Sequence, residues 1–326
     1  MNTAVSDPTQ VSAVRASRRE GLIRIMMPLS LLGSTYMLAA VVNPRFLTWD
    51  AARLQLTLAA FIGLVGIGQT LTILIGQIDL AIPWNITLSA IVSTNVYGQT
   101  GSISLCLISA LLVGLGTGSL NAIGVAVFRI HSLIWTISVN LILEGITFVY
   151  TSAAAPAHTV PPLVRELGSG SINGIPWPIV IWAIAAMVVI LWLGHTKFGR
   201  EIYALGNNEL ATLMSGVRPG KIYLVVFLVS GAASAFVGLL LTGFAGQTYL
   251  GMGNAYLLIP IAAVVLGGTS LSGGVGGYLG TFVGSIIVVL LDSVLLSVQM
   301  SEGLRQVCFG LIILIMMLLF RNRPTS

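Results

Sequence analysis

Three acidic side chains, Asp79, Glu144 and Asp292, fall within or at the ends of long apolar runs. An ionised group inside a bilayer is costly unless it is paired or hydrated, so each is a candidate for lining a polar pathway. Asp79 stands in Gly76-Gln-Ile-Asp-Leu-Ala-Ile-Pro83-Trp84-Asn85. Gly76 and Pro83 break a helix there, and broken helices at membrane depth occur only against protein or a water-filled cavity. Asp79 therefore either lines a pathway or caps the start of the next half-helix. Glu144 and Asp292 either line a pathway or face a subunit contact or vestibule. Trp84, Asn85, Asn140, Gln247, Asn254 and Tyr256 add hydrogen-bonding and aromatic groups and are further candidates for such a pathway.

Other chemistries are excluded by their missing residues. Gly216-Val-Arg-Pro-Gly220-Lys221-Ile222 approaches a phosphate-binding loop, but its glycines are one residue too close and no Ser or Thr follows the lysine. His131, His158 and His195 are scattered without metal-ligand spacing. No Gly-x-Ser-x-Gly elbow comes with suitable His and Asp partners. Cys106 and Cys308 sit inside apolar runs as small packing residues. We expect no catalytic residue, no metal and no cofactor.

The elements that position these groups follow from composition. The chain has 326 residues, of which 8% are charged and 56% hydrophobic, with 37 glycines and a net charge of +5. Soluble domains carry about 25% charged residues, and so few charges cannot cover a water-exposed surface. The basic residues are too sparse, and too free of interleaved aromatics, for a nucleic-acid surface. The fold class is all-α: a polytopic integral membrane protein.

A spanning helix needs about 20 apolar residues. Such windows fall near 23–42, 54–75, 81–97, 103–128, 133–152, 177–194, 222–244, 257–268, 275–299 and 304–320, which predicts ten spans. The third and eighth are interrupted or short. With the N-terminus in the cytoplasm, the inner segments hold Arg15, Arg18, Arg19, Arg24, Arg129, Lys197, Arg200, Arg218, Lys221, Arg321 and Arg323. The outer ones hold Arg45, Arg53, Arg165 and Arg305. That bias predicts both termini inside. The organisation is then a cytoplasmic tail over 1–22, one transmembrane domain over 23–320 and a cytoplasmic tail over 321–326. Gly114 and Gly118, and Gly276, Gly280 and Gly284, recur at four-residue spacing that lets helix backbones approach. The run Gly267-Gly-Thr-Ser-Leu-Ser-Gly-Gly274 reads as a cytoplasmic-side turn or a re-entrant break between spans.

Two loops are long. The outer one, 151–176, either holds a short lateral helix or spans a gap. The inner one, 195–221, carries Leu210, Leu213, Met214 and Val217 at i, i+3, i+4, i+7, one apolar stripe on a short helix. Asn207 or Asn208 can cap it, Glu209 suits its first turn, and Gly216 with Pro219-Gly220 ends it. Its face serves either as an interfacial connector or as a contact for something cytoplasmic.

Taken together, several motifs resemble the permease subunits of bacterial ABC importers for monosaccharides, the ribose/xylose/arabinose-type family. They are Gly76-Gln-Ile-Asp79-Leu, similar to Gly-Gly-Ile-Asp-Leu-Ser, and Gly199-Arg200-Glu-Ile-Tyr-Ala204-Leu-Gly206-Asn207-Asn208-Glu209. Ala211, Ser215-Gly216-Val217 and Ala262-Ala-Val-Val-Leu-Gly-Gly-Thr-Ser-Leu-Ser-Gly-Gly274 complete the set. The resemblance runs from the second span to the last. It implies a multi-pass protein of the bacterial inner membrane that imports a monosaccharide or related polyol by alternating access. The implied partners are a second permease subunit, two ATP-binding cassette subunits and a periplasmic solute-binding protein. ATP hydrolysis then belongs to separate chains, and the stretch Gly206–Val217 becomes the coupling helix. The chain departs from the family pattern at Gln77, at Ala81, at Trp135–Asn140 and at Glu144, which bears on the substrate rather than the architecture. Permeases for branched-chain amino acids or nucleosides share the superfamily. An ion-coupled secondary transporter is the alternative of a different class.

Overall fold

The computed structural model describes residues 28–153 and 159–320. The two predicted tails, the first residues of the first span, and 154–158 of the outer loop lie outside the described residues. The chain folds as α-helices, joined by one two-stranded hairpin. In order they are α1 (Pro28–Val42), α2 (Trp49–Leu74), α3 (Ile82–Thr100), α4 (Ile103–Ala126), α5 (Ser132–Ala153), α6 (Pro162–Ser169), α7 (Trp177–His195), α8 (Lys197–Asn207), α9 (Glu209–Met214), α10 (Pro219–Ala245), α11 (Ile259–Leu266), α12 (Tyr278–Ser297) and α13 (Glu302–Phe320). Six of them, α2, α4, α5, α7, α10 and α12, are long and apolar enough to cross a membrane. The chain is an all-α polytopic membrane protein.

Within the described residues each predicted apolar window overlaps a helix. The third is one regular helix of 19 residues whose start carries Pro83, where its missing N–H costs nothing. The eighth shortens to the eight residues of α11, preceded by a 3-10 turn at Asn254–Tyr256. Of the two readings of the outer loop, the lateral helix holds: α6 is followed by strands β1 (Ser171–Ile172) and β2 (Ile175–Pro176), paired antiparallel. Asn173 and Gly174 turn that hairpin with φ of 50° and 81°, the primed geometry that Asn-Gly favours.

α2 is the central post. Thr48 caps it, and from Ala59 to Leu74 every residue is buried. Trp182 of α7 stacks on Phe282 of α12 at 4.1 Å and donates Nε1–H to the Tyr278 hydroxyl at 2.9 Å. Tyr278 in turn donates to the Gly63 carbonyl of α2 at 2.7 Å, so one aromatic chain fastens three helices. α4 crosses α10 where Gly114 meets the Gly231 carbonyl and Gly118 meets that of Phe227, too close for any Cβ. Gly280 and Gly284 play the same part against α11. Gly276 does not belong to that stripe: it lies in the turn before α12, with φ 128°.

Candidate functional site

Thr196 ends α7 and starts α8 in one residue, its hydroxyl accepting from the Gly199 N–H at 3.0 Å and donating to the Trp192 carbonyl at 2.6 Å. Gly199 must be glycine because the Leu193 carbonyl occupies its Cβ position. α8 buries Gly199, Ile202 and Leu205 and leaves Arg200 and Ala204 exposed. Lys197 and Glu201 pair at 3.7 Å on its open side, where such a pair contributes little. Tyr203 reaches across to donate to the Gly276 carbonyl at 3.0 Å, and burial raises its phenol above the ordinary value.

α8 is a separate helix, which the sequence reading ran together with the loop. Its signal was present: Thr196 as a cap, then Phe198, Ile202 and Leu205 at i, i+4, i+7. The expected single helix over Gly206–Val217 is accordingly broken at Asn208. Gly206 and Asn207 close α8, while Asn208 caps α9, its Oδ1 accepting from the Ala211 N–H at 2.9 Å. Of the two expected caps, Asn208 is the one used; Asn207 turns its Nδ2 back to the Tyr203 carbonyl. Glu209, in the first turn of α9, accepts from the Tyr223 hydroxyl at 3.2 Å, and Thr212 is buried beneath. Leu210, Leu213 and Met214 are 67%, 52% and 82% exposed. Val217 lies past the helix and leans on the core, after Gly216 turns the chain with φ 81°. Ala211 stands exposed between the apolar groups.

Three sequence-distant motifs meet beside this helix. Gly206 lies against the Leu74 carbonyl and the Gly274 N–H, with no room for a Cβ. Gly274 donates its N–H to Leu74 at 2.9 Å, and a Cβ on Gly273 would crowd Gly206 and Gly76. The end of α2, the end of α8 and the glycine turn therefore form one backbone-to-backbone junction.

From that junction Gly76, with φ 72°, turns the chain towards Asp79, which is 3% exposed. Its Oδ1 accepts from the Ala81 N–H and the Asn121 Nδ2, both at 3.0 Å, and its Oδ2 accepts from the Ser230 hydroxyl at 2.7 Å. Gln69 clasps its backbone from both sides. Asp79 thus ties α2, α3, α4 and α10 together and braces the start of α3. Nearby, Asn140 Oδ1 accepts from the Trp84 N–H at 3.3 Å, and the Trp84 ring tilts against Phe148 at 5.6 Å. Asn85 donates to the Gly231 carbonyl at 2.9 Å. Glu144, one turn beyond Asn140, is half-buried.

The remaining pathway candidates lie elsewhere. Gln247 is exposed beyond the end of α10. Asp292 is bound by Arg305, one guanidinium nitrogen reaching both carboxylate oxygens at 2.8 Å. Asp292 and Asn254 line a cavity of about 110 Å³ together with Glu302, Arg305 and Gln306, and Tyr256 sits half-buried in the adjoining turn. Glu302, Arg305 and Gln306 are not among the pathway candidates of the sequence; all three stand on the first turns of α13. Their spacing there was the available signal. Among the described residues no group of three or more His, Cys, Asp or Glu side chains stands together as a metal site.

The family described as branched-chain amino acid transport system / permease component matches residues 54–320. The ribose import permease protein of Haemophilus influenzae is 34% identical over 86% of this chain and 88% of its own length. The chain belongs to the family of ABC importer permeases. The ribose import permease protein of Escherichia coli K12 is 31% identical over 90% of this chain and 93% of its own length. An L-arabinose ABC transporter permease protein of Azospirillum brasilense is 29% identical over 83% and 78%. As a family member the chain is a transporter component. The match also covers every segment of the junction at Leu74, Gly206 and Gly274.

Proposed function

We propose that this chain is the membrane-spanning subunit of an ATP-driven importer for a monosaccharide or related polyol, working by alternating access in the bacterial inner membrane. Two such subunits pair, two ATP-binding subunits dock on the cytoplasmic side, and a periplasmic binding protein delivers the solute. Ten spans with both termini in the cytoplasm suit this reading. They put α8, α9 and the glycine turn on the inner face and α6 with its hairpin on the outer face.

One observation carries the proposal: α9 displays Leu210, Leu213 and Met214 to the outside while its base is keyed into the core at Gly206. An apolar face on a six-residue helix is too small to be an ordinary core element and too exposed to be a spacer. It supports a docking knob for a groove on each ATP-binding subunit. Closure of those subunits would displace α9, and the Gly206 junction would pass the movement to α2 and α12. Substrate class rests on the sugar permeases among the relatives, which outweigh the amino-acid wording of the family description because each is an individual protein matched over 86%, 90% and 83% of this chain.

The test is uptake of ribose, arabinose, allose and leucine by vesicles holding the permease, its ATP-binding subunits and its binding protein. A sugar should accumulate with ATP, and Gly206→Val or Glu209→Lys should abolish accumulation while ATP hydrolysis no longer responds to the loaded binding protein. Unchanged coupling in both variants would contradict the role given to α9.

A further inference from the structure

The cavity between α12, α13 and the turn at Asn254 has a composition that its surroundings do not explain. Asp292 sits in the second half of α12 among Leu290, Leu291, Val294 and Leu295. On α13, Glu302, Arg305, Gln306 and Phe309 are spaced i, i+3, i+4, i+7 and so form one face, which the cavity collects. The opposite face is apolar and exposed at Leu304, Val307 and Leu311. Charged and amide groups on one face of an otherwise lipid-compatible helix belong against water or a polar solute. A cavity of about 110 Å³ has room for several waters or one small molecule, since a single water needs only about 10–15 Å³ of such space.

Charge and hydrogen-bonding capacity narrow the ligand. Arg305 is held by Asp292 through one terminal nitrogen at 2.8 Å, while its Nε has no hydrogen-bond partner and is shut off from solvent. Glu302 and Asp292 against one Arg disfavour an anion. Gln306 and Asn254 each offer both donors and acceptors, and so does a hydroxyl group. Phe309, 2% exposed, also lines the cavity and adds an apolar contact at its base.

We propose that this cavity is a binding site for a small neutral polyhydroxylated molecule, with the Asp292–Arg305 pair and Gln306 receiving its hydroxyls and Phe309 under its apolar face. The inference rests on the monosaccharide reading above and adds a place on the permease itself where the sugar is held in transit. The Asp292–Arg305 pair supplies one fixed acceptor and donor edge. Asn254 and Gln306 both line the cavity and are exposed, thus free to adapt.

Thiol protection tests it with the whole transporter in vesicles. Asn254→Cys and, separately, Gln306→Cys are made with Cys106 and Cys308 replaced by serine, and labelled by a membrane-impermeant maleimide. Ribose, arabinose, allose and leucine are added in turn, and uptake is measured on the same preparations. At about ten times its dissociation constant, a transported sugar should slow labelling about tenfold at both positions, as simple occupancy requires, and leucine should not. Equal labelling rates with every sugar, in vesicles that accumulate one of them, would overturn the site and leave the proposed function standing. Accumulation of leucine and of no sugar would overturn both the function and the ligand class assigned to the cavity. Protection at one position only would place the solute outside the cavity and count against the site.

Discussion

Gly274 donates its N–H to the Leu74 carbonyl at 2.9 Å, and Gly206 fits into the same contact with no space for a side chain. This junction joins the C-terminal end of α2 to the helix that precedes α9. Close backbone packing resists deformation, so a shift of α8 must be shared by α2 and by the glycine turn.

Gly206→Ala should force that junction apart. Overpacking a tight site costs about 1–3 kcal/mol. Thermal unfolding of the purified permease should show that loss, and sugar uptake should fall further than stability alone explains. Gly220→Ala, in open space at the start of α10, serves as the control and should leave both unchanged.

The exposed face of α9 makes the opposite prediction. Leu210→Asp with Leu213→Asp should leave the melting temperature of the isolated permease within about 1–2 °C, because surface substitutions stay within about 0.5 kcal/mol. Co-purification of the ATP-binding subunits should be lost. Asn208→Ala should weaken the same association less, since a lost cap costs about 0.5–2 kcal/mol, and Asn208→Asp should restore it.

The fate of Asp79 shows what could be read from sequence and what could not. Its neighbourhood was legible: Gly76 and Pro83 break the chain, and an acid between them must be satisfied. Its partners were not, because Gln69, Asn121 and Ser230 lie in three other helices and nothing in their local sequence states which helices touch. The ten apolar runs and the α9 stripe were readable from hydropathy and period. The α8–α9 break was missed because Gly206-Asn207-Asn208 offers two caps in a row. The cavity at Asp292 was missed because ion pairing between α12 and α13 is a tertiary fact, although Arg305 was visible as a charge beside an apolar run.

Asp79→Ala should strand the Ser230 hydroxyl, the Asn121 amide and the Ala81 N–H. Each buried group left without a partner costs about 1–3 kcal/mol. Ser230→Ala alone should cost less, and the double variant should show a coupling energy of about 1 kcal/mol or more in a double-mutant cycle. Additive losses would mean that the 2.7 Å contact contributes little.

Arg305→Gln should leave Asp292 without its cation. The side chains are 19% and 31% exposed, so the loss should be about 1–2 kcal/mol, below that of a fully buried pair. Asp292→Asn in the same chain should recover much of it, measured by chemical denaturation in detergent.

The most direct test of the whole account is accumulation of sugar by vesicles that hold permease, ATP-binding subunits and loaded binding protein, with and without internal ATP and with ionophores that dissipate proton and sodium gradients. The account predicts accumulation that requires ATP, persists with the ionophores and disappears with Leu210→Asp and Leu213→Asp in α9. Accumulation that needs no ATP-binding subunit and collapses with the ionophores would contradict it.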